Sequence, residues 1–135
     1  MEKYKVMMDT SAYTAFLRGS PEVKEAVQQA DAIVFNPVVL GELIAGFLKG
    51  RNERKNRAIL KDFLSSPRVI VAEIDEETSE RYAVIVQSLR MKGTPIPTND
   101  LWIAASAMQH GLKVLTTDKH YLEVPQIITE YFEAG

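Results

Sequence analysis

The chain has 135 residues, of which 46% are hydrophobic and 25% charged, and it contains no cysteine. This length predicts one domain over residues 1–135 with its own hydrophobic core, and the lack of cysteine excludes disulfides, thiolate zinc sites and a cysteine nucleophile. The net charge is −2, so any contact with nucleic acid must come from a local patch rather than from the overall charge.

The first half of the chain predicts two strands and four helices. In chain order these are strand Lys5–Met8, helix Thr10–Arg18, helix Pro21–Ala30, strand Ala32–Phe35, helix Val38–Lys49 and helix Asn52–Leu64. Ser20 and Asn36 each precede a proline, and this pairing of a capping side chain with proline at the first helical position is typical of a helix start. Gly50 predicts the end of the helix that follows Asn36.

The second half alternates strands and helices in the same way. The predicted elements are strand Val69–Ala72, helix Glu76–Lys92, helix Thr98–His110, strand Val114–Thr116 and strand Gln126–Thr129. The strands are apolar on consecutive positions, as expected when helices cover both faces of a parallel sheet. The alternation therefore predicts an α/β fold: a three-layer α/β/α sandwich around a mostly parallel sheet of four to five strands.

Two further features bear on location. No apolar stretch approaches the roughly 20 residues that a membrane span requires. The apolar run Val6–Met8 is too short for the core of a signal peptide. We therefore expect a soluble, unexported protein of the cytoplasm with no membrane contact.

Four acidic residues occupy positions where α/β folds bind ligands, which is beyond the carboxyl ends of the strands. Asp9 follows the first strand and Asp118 the fourth. Asp100 lies in the first turn of the helix before the fourth strand, and Glu42 lies in the helix after the second strand. Carboxylates gathered at one edge repel one another unless they are neutralised. An oxygen-rich site of this kind suits Mg²⁺ or Mn²⁺, which points to chemistry on a phosphate ester.

Each acidic residue also has a purely structural interpretation. Asp9 is a plausible helix cap, Asp100 suits a helix start and Asp118 suits a turn. Taken singly, Asp100 and Asp118 favour these roles, whereas the four residues together favour a metal site. Of the two histidines, His110 fits a cation at a helix end, and His120 is given at most a minor positional role.

One basic run, Arg51 to Arg57, lies at a predicted junction of two helices. Its positive residues are Arg51, Arg54, Lys55 and Arg57. The run is either a solvated helix start or a patch that contacts phosphates, since Lys and Arg supply the sequence-independent part of nucleic-acid affinity. The sequence leaves both interpretations open.

Four segments in order resemble one family. They are Met8-Asp9-Thr10-Ser11, Val39-Leu40-Gly41-Glu42-Leu43, the run from Pro95 to Ala105 that contains Asn99-Asp100, and Leu115-Thr116-Thr117-Asp118-Lys119-His120-Tyr121. The set closely resembles the PIN-domain nucleases and, among them, the VapC toxins of prokaryotic toxin–antitoxin pairs. The resemblance covers nearly the whole chain, from Asp9 to about Pro125.

The resemblance implies a PIN-like fold and an endoribonuclease dependent on Mg²⁺ or Mn²⁺. It implies that Asp9, Glu42, Asp100 and Asp118 are the catalytic and metal-binding quartet. By the same likeness, Ser11 and Thr116 would order the carboxylates or their waters. It also implies an RNA substrate, a homodimer and a VapB-type antitoxin protein that blocks the cleft. An exposed apolar groove for that protein would draw on Phe16, Leu17, Phe47 and Leu48, although ordinary core positions explain these residues equally well.

Other functions fit the sequence less well. A catalytically weak module that binds RNA or a protein partner is the main alternative, and the net charge of −2 favours it slightly. A metal-dependent phosphatase or a signalling receiver ranks third. A receiver needs an acidic pair after its first strand and an Asp after its third strand. This sequence has Met8-Asp9 at the first position and Glu73 at the second.

Overall fold

A computed structural model describes residues 4–134. Residues 1–3 and 135, which the predicted domain includes, lie outside the described part. Five strands form one sheet: β1 (Lys5–Met8), β2 (Ala32–Phe35), β3 (Val69–Val71), β4 (Lys113–Thr116) and β5 (Ile128–Tyr131). All neighbouring strands run parallel, in the order β3-β2-β1-β4-β5. The predicted α/β fold with a mostly parallel sheet is confirmed.

Six helices connect these strands. They are α1 (Thr10–Leu17), α2 (Pro21–Gln29), α3 (Pro37–Lys49), α4 (Glu53–Leu64), α5 (Glu76–Lys92) and α6 (Thr98–His110), and a 3₁₀ turn covers Lys119–Glu123. β2 and β3 lie in succession on one side of β1, and β4 and β5 lie in succession on its other side. The strand order therefore reverses between β1 and β4, which is where open α/β sheets bind their ligands.

The core lies on both faces of the central strands. Val6, Met7 and Met8 of β1 are fully buried, and all four residues of β2 are buried as well. Beside them, the ring of Tyr13 packs edge-on against the rings of Phe35 and Phe63 at 5.9 and 5.6 Å between centroids. Such pairs add about 0.5–1.5 kcal/mol beyond the area that they bury. This cluster anchors α1, and so fixes where the chain leaves β1.

The helix starts follow the predicted capping residues. Ser20 accepts from the Val23 amide at the start of α2, and Asn36 accepts from the Val39 amide at the start of α3. Asn36 is fully buried, and its side-chain nitrogen also donates to Ser106 Oγ at 2.9 Å. That bond ties the first turn of α3 to the middle of α6, and so fixes the spacing of the two helices that carry Glu42 and Asp100.

The last strand is displaced from its predicted position. The sequence predicts Gln126–Thr129, whereas the structure has β5 at Ile128–Tyr131. The prediction is wrong by two residues because pairing sets the register: Lys113 lies opposite Ile128, and Thr116 opposite Tyr131. Within residues 4–134, no helix has the length and apolar character needed to cross a membrane.

Candidate active site

Asp9 directly follows β1, and its side chain caps the start of α1. Its Oδ1 accepts from the Ala12 amide at 2.8 Å, and its Oδ2 accepts from Thr116 Oγ1 at 2.6 Å. The side chain of Ser11 lies 2.8 and 2.9 Å from the two carboxylate oxygens. Asp9 is only 3% exposed, and burial raises its pKa to about 6 against these hydrogen bonds, which lower it. The capping role and a site role therefore coexist in one residue.

Thr116 and Ser11 join the ends of β1 and β4. Thr116 Oγ1 accepts from the Asp118 amide at 2.8 Å while it donates to Asp9. Ser11 Oγ accepts from the Thr117 amide at 2.9 Å. The two hydroxyls thus hold the carboxylate of Asp9 and the backbone that leads to Asp118.

Asp100 and Asp118 face each other across the side chain of His120. The imidazole Nδ1 lies 3.0 Å from Asp100 Oδ2 and 2.9 Å from Asp118 Oδ1. The buried Tyr121 donates from its hydroxyl to the other Asp100 oxygen at 3.2 Å. Burial, with the nearby charge of Asp118, raises the pKa of Asp100, while the bonds from His120 and Tyr121 lower it.

Tyr121 remains a hydrogen-bond donor throughout the physiological range. Burial raises the pKa of its hydroxyl well above the ordinary value, and the charges of Asp9, Asp100 and Glu42 raise it further. The hydroxyl therefore stays protonated and donates to Asp100.

Glu42 reaches the site from α3 and is held at both oxygens. Thr10 Oγ1 donates to Oε1 at 2.6 Å, and Asn99 Nδ2 donates to Oε2 at 3.1 Å. Thr10 follows Asp9, and Asn99 precedes Asp100. The sequence neighbours of Asp9 and Asp100 therefore orient the carboxylate of Glu42.

An open cleft of about 480 Å³ lies over these groups. It is lined by Glu42, Pro97, Thr98, Asn99, Asp100, Asp118 and His120. Asp9 lies behind it, within range of Asp100, whose charge contributes to the raised pKa of Asp9. The structure thus brings all four predicted acidic residues to the β1/β4 reversal of the sheet.

Four residues beyond the predicted set contact the carboxylates: Thr10, Asn99, His120 and Tyr121. Thr10 and Asn99 are sequence neighbours of the predicted Asp9 and Asp100. His120 stands two residues after Asp118, and only the 3₁₀ turn that begins at Lys119 brings its ring back towards Asp100. The minor positional role predicted for His120 understates its contacts with two carboxylates.

The predicted basic run lies elsewhere, at the junction of α3 and α4. Arg51, Arg54, Lys55 and Arg57 are all exposed, and Arg57 pairs with Glu53 at 2.9 Å. Of the candidate groove residues, Leu17 and Leu48 are 44% and 60% exposed. Phe16 and Phe47 are partly buried against the core instead.

The donor set of the cleft is suited to a hard divalent cation. One ligand atom from each of Asp100, Asp118 and His120 lies within 4.8 Å of the others, and Glu42 lines the same cleft. Burial is the main cause of the raised pKa values of Asp9 and Asp100, and the charge of a neighbouring carboxylate adds to it in each case. A cation bound nearby would favour the ionised form of both carboxylates.

Comparison with known proteins adds an independent finding. A family model described as PIN domain matches residues 6–127. Ribonuclease VapC4 of Mycobacterium tuberculosis is 37% identical over 90 residues, 67% of this chain and 69% of that protein. Ribonuclease VapC1 of Rickettsia felis is 33% identical over 113 residues, 82% of this chain and 83% of that protein.

The fold recurs in solved structures. A crystal structure of DNA-bound VapBC from Salmonella typhimurium superimposes with a TM-score of 0.83 at 28% identity, over 94% of this chain and 97% of that one. VapBC2 from Rickettsia felis, bound to a DNA fragment from their promoter, gives the same TM-score at 24% identity, over 94% of this chain and 98% of that one. At 24% identity this second likeness concerns the fold alone.

Proposed function

The chain belongs to the PIN domain family, and from this premise we propose that it is a metal-dependent endoribonuclease and the toxin of a toxin–antitoxin pair. The single observation that carries the chemistry is the convergence of Asp9, Glu42, Asp100 and Asp118 at the β1/β4 reversal of the sheet. Curated relatives named ribonucleases support the nuclease activity. The VapBC complex from Salmonella typhimurium supports the toxin assignment.

The proposed cofactor is Mg²⁺ or Mn²⁺. Carboxylate oxygens are the ligands that these ions prefer, and the chain supplies them from β1, α3, α6 and the end of β4. When bound, the ion supplies a Lewis acid that stabilises negative charge on phosphate oxygens. Asp9, Glu42, Asp100 and Asp118 are its proposed ligands, directly or through water.

The remaining side chains act by holding these ligands. Ser11 and Thr116 hold the Asp9 carboxylate in place through bonds of 2.6–2.9 Å. Thr10 and Asn99 hold Glu42 at both oxygens, which leaves it placed to orient a water molecule for attack. Because these groups are held before substrate arrives, little reorganisation is needed during the reaction.

The proposed reaction is hydrolysis of an RNA phosphodiester by in-line attack of water. The bond from phosphorus to the 3′ oxygen breaks, so the products carry a 5′-phosphate and a 3′-hydroxyl. Arg51, Arg54, Lys55 and Arg57 are the proposed contacts to the RNA backbone, because exposed positive side chains supply affinity for phosphates regardless of base sequence.

The proposed partner is a VapB-type antitoxin protein, by analogy with the VapBC complexes. The exposed Leu17 and Leu48 suit an apolar contact with such a partner. A homodimer, a single domain over residues 1–135 and a cytoplasmic location complete the proposal, on the strength of the family resemblance.

Cleavage of a small-RNA pool tests the proposal directly. Purified protein is incubated with Mg²⁺, with Mn²⁺ or with EDTA, alongside Asp9→Asn and the matched control Asp62→Asn, which makes the same atomic change on an exposed residue of α4. We expect discrete fragments from the wild type and the control only, and none in EDTA. Metal binding without cleavage of any RNA would favour the catalytically weak binding module instead.

A further inference from the structure

The imidazole of His120 occupies the space between two proposed metal ligands. Its Nδ1 lies 3.0 Å from Asp100 Oδ2 and 2.9 Å from Asp118 Oδ1. The three atoms therefore form a compact group that combines one nitrogen with two oxygens. None of the roles proposed above for the four carboxylates accounts for the nitrogen.

The backbone holds His120 in this position independently of its ring. The His120 amide donates to Asp118 Oδ1 at 2.9 Å, and the next residue, Tyr121, is buried and donates to Asp100. The ring itself is 47% exposed, so it has room to move by the few tenths of an ångström that a coordination bond needs. The turn therefore presents Nδ1 to the two aspartates.

We propose that His120 Nδ1 is a direct ligand of the divalent ion, and that this nitrogen makes the site prefer Mn²⁺ to Mg²⁺. The inference rests on the proposed function, because it concerns the same metal site. Imidazole nitrogen binds transition-metal ions well, whereas Mg²⁺ favours oxygen ligands and retains its waters. Coordination uses the tautomer with its hydrogen on Nε2, which leaves a lone pair on Nδ1.

Direct observation of the nitrogen gives the first test. Electron spin-echo spectroscopy of the Mn²⁺-loaded protein detects a ¹⁴N nucleus bonded to the metal. We expect this signal in the wild type and in His110→Asn, and its loss in His120→Asn and His120→Ala. His110 is the matched control because it ends α6, while Asp100 lies near the start of that helix, about 15 Å away along the axis.

Calorimetric titration with MnCl₂ and with MgCl₂ gives the second test. The ratio of Mn²⁺ affinity to Mg²⁺ affinity should fall at least about tenfold in both His120 variants, and remain unchanged in His110→Asn. His120→Asn keeps a hydrogen-bond donor, so a role limited to positioning the aspartates would leave its ratio at the wild-type value.

Two results would overturn the inference: a wild-type spectrum without metal-bound nitrogen, or affinities for the two ions that fall by the same factor in His120→Ala. Either would mean that His120 only spaces the aspartates. These outcomes differ from a failure of the proposed function. That failure would appear as a wild-type protein that binds neither ion, or that binds an ion through nitrogen and yet cleaves no RNA.

Discussion

Replacement of Asp9 by asparagine should stabilise the metal-free protein. The pKa of Asp9 is about 6, against an ordinary value of 3.8, because the carboxylate is buried. A difference of this size corresponds to about 3 kcal/mol of cost at neutral pH. Asparagine removes the charge, retains an oxygen that accepts from the Ala12 amide, and is itself a good helix cap. It also exchanges a strong bond from Thr116 for a weaker one, so we expect a net gain of about 1–2 kcal/mol.

The sign of the pH dependence follows from the direction of the shift. Between pH 3.8 and 6 the folded wild type binds a proton that the unfolded chain does not. The stability from this proton is fully present below about pH 4 and is lost as the pH rises through 6. Asp9→Asn has no such group, so its advantage over the wild type should grow across this interval and level off above about pH 7.

Urea unfolding and thermal unfolding in EDTA, at several pH values from 4 to 8, measure this difference. At pH 7 the gain should raise Tm by roughly 4–8 °C for a chain of this size. Asp62→Asn, on the exposed face of α4, should change stability by less than about 0.5 kcal/mol. The reasoning would be refuted by an Asp9→Asn protein that is less stable than the wild type at pH 7, or by a gap that stays constant with pH.

Four other outcomes are expected. Thr116→Val should weaken binding of the divalent ion about tenfold by calorimetry, because Asp9 loses its 2.6 Å donor, whereas Thr129→Val should not. Asn36→Ala should cost about 2–3 kcal/mol in urea unfolding, because the cap and the bond to Ser106 are both lost; Ser106→Ala, which removes only the second bond, should cost less. Replacing Arg54 and Lys55 together by Gln should raise KM, leave kcat unchanged and reduce the salt slope by roughly 1.4, with Lys24→Gln as the exposed control. Mass spectrometry of the RNA fragments should find 5′-phosphates, and 2′,3′-cyclic phosphates would contradict the reaction proposed above.

The strands most completely buried were the easiest to predict. β1 and β2 have the predicted bounds, because their apolar runs are short and are followed at once by Asp9 and Asn36, which cap the next helices. β5 could not be predicted as well. Its residues are only partly buried, so its bounds depend on pairing with β4 rather than on its own pattern.

In the candidate site, too, some features follow from the sequence and others depend on packing. The positions of Asp9 and Asp118 follow from the rule that parallel strands end at one edge, and Asp100 from the helix start beside them. The contacts of His120 depend on a 3₁₀ turn that carries no hydrophobic period. The bond from Asn99 to Glu42 joins residues 57 apart, and its existence depends on how closely α3 approaches the start of α6.

The pairing of the first strand with the fourth has a consequence for synthesis of the chain. Thr116, which completes the hydrogen bonds of Asp9, follows it by 107 residues. At translation rates of about 5–20 residues per second, this interval lasts roughly 5–20 s. Throughout it the growing chain has no β4 beside β1, no Thr116 and no Asp118. A ribosome that makes this protein is therefore not exposed to an assembled site on its own nascent chain until β4 has emerged and folded against β1.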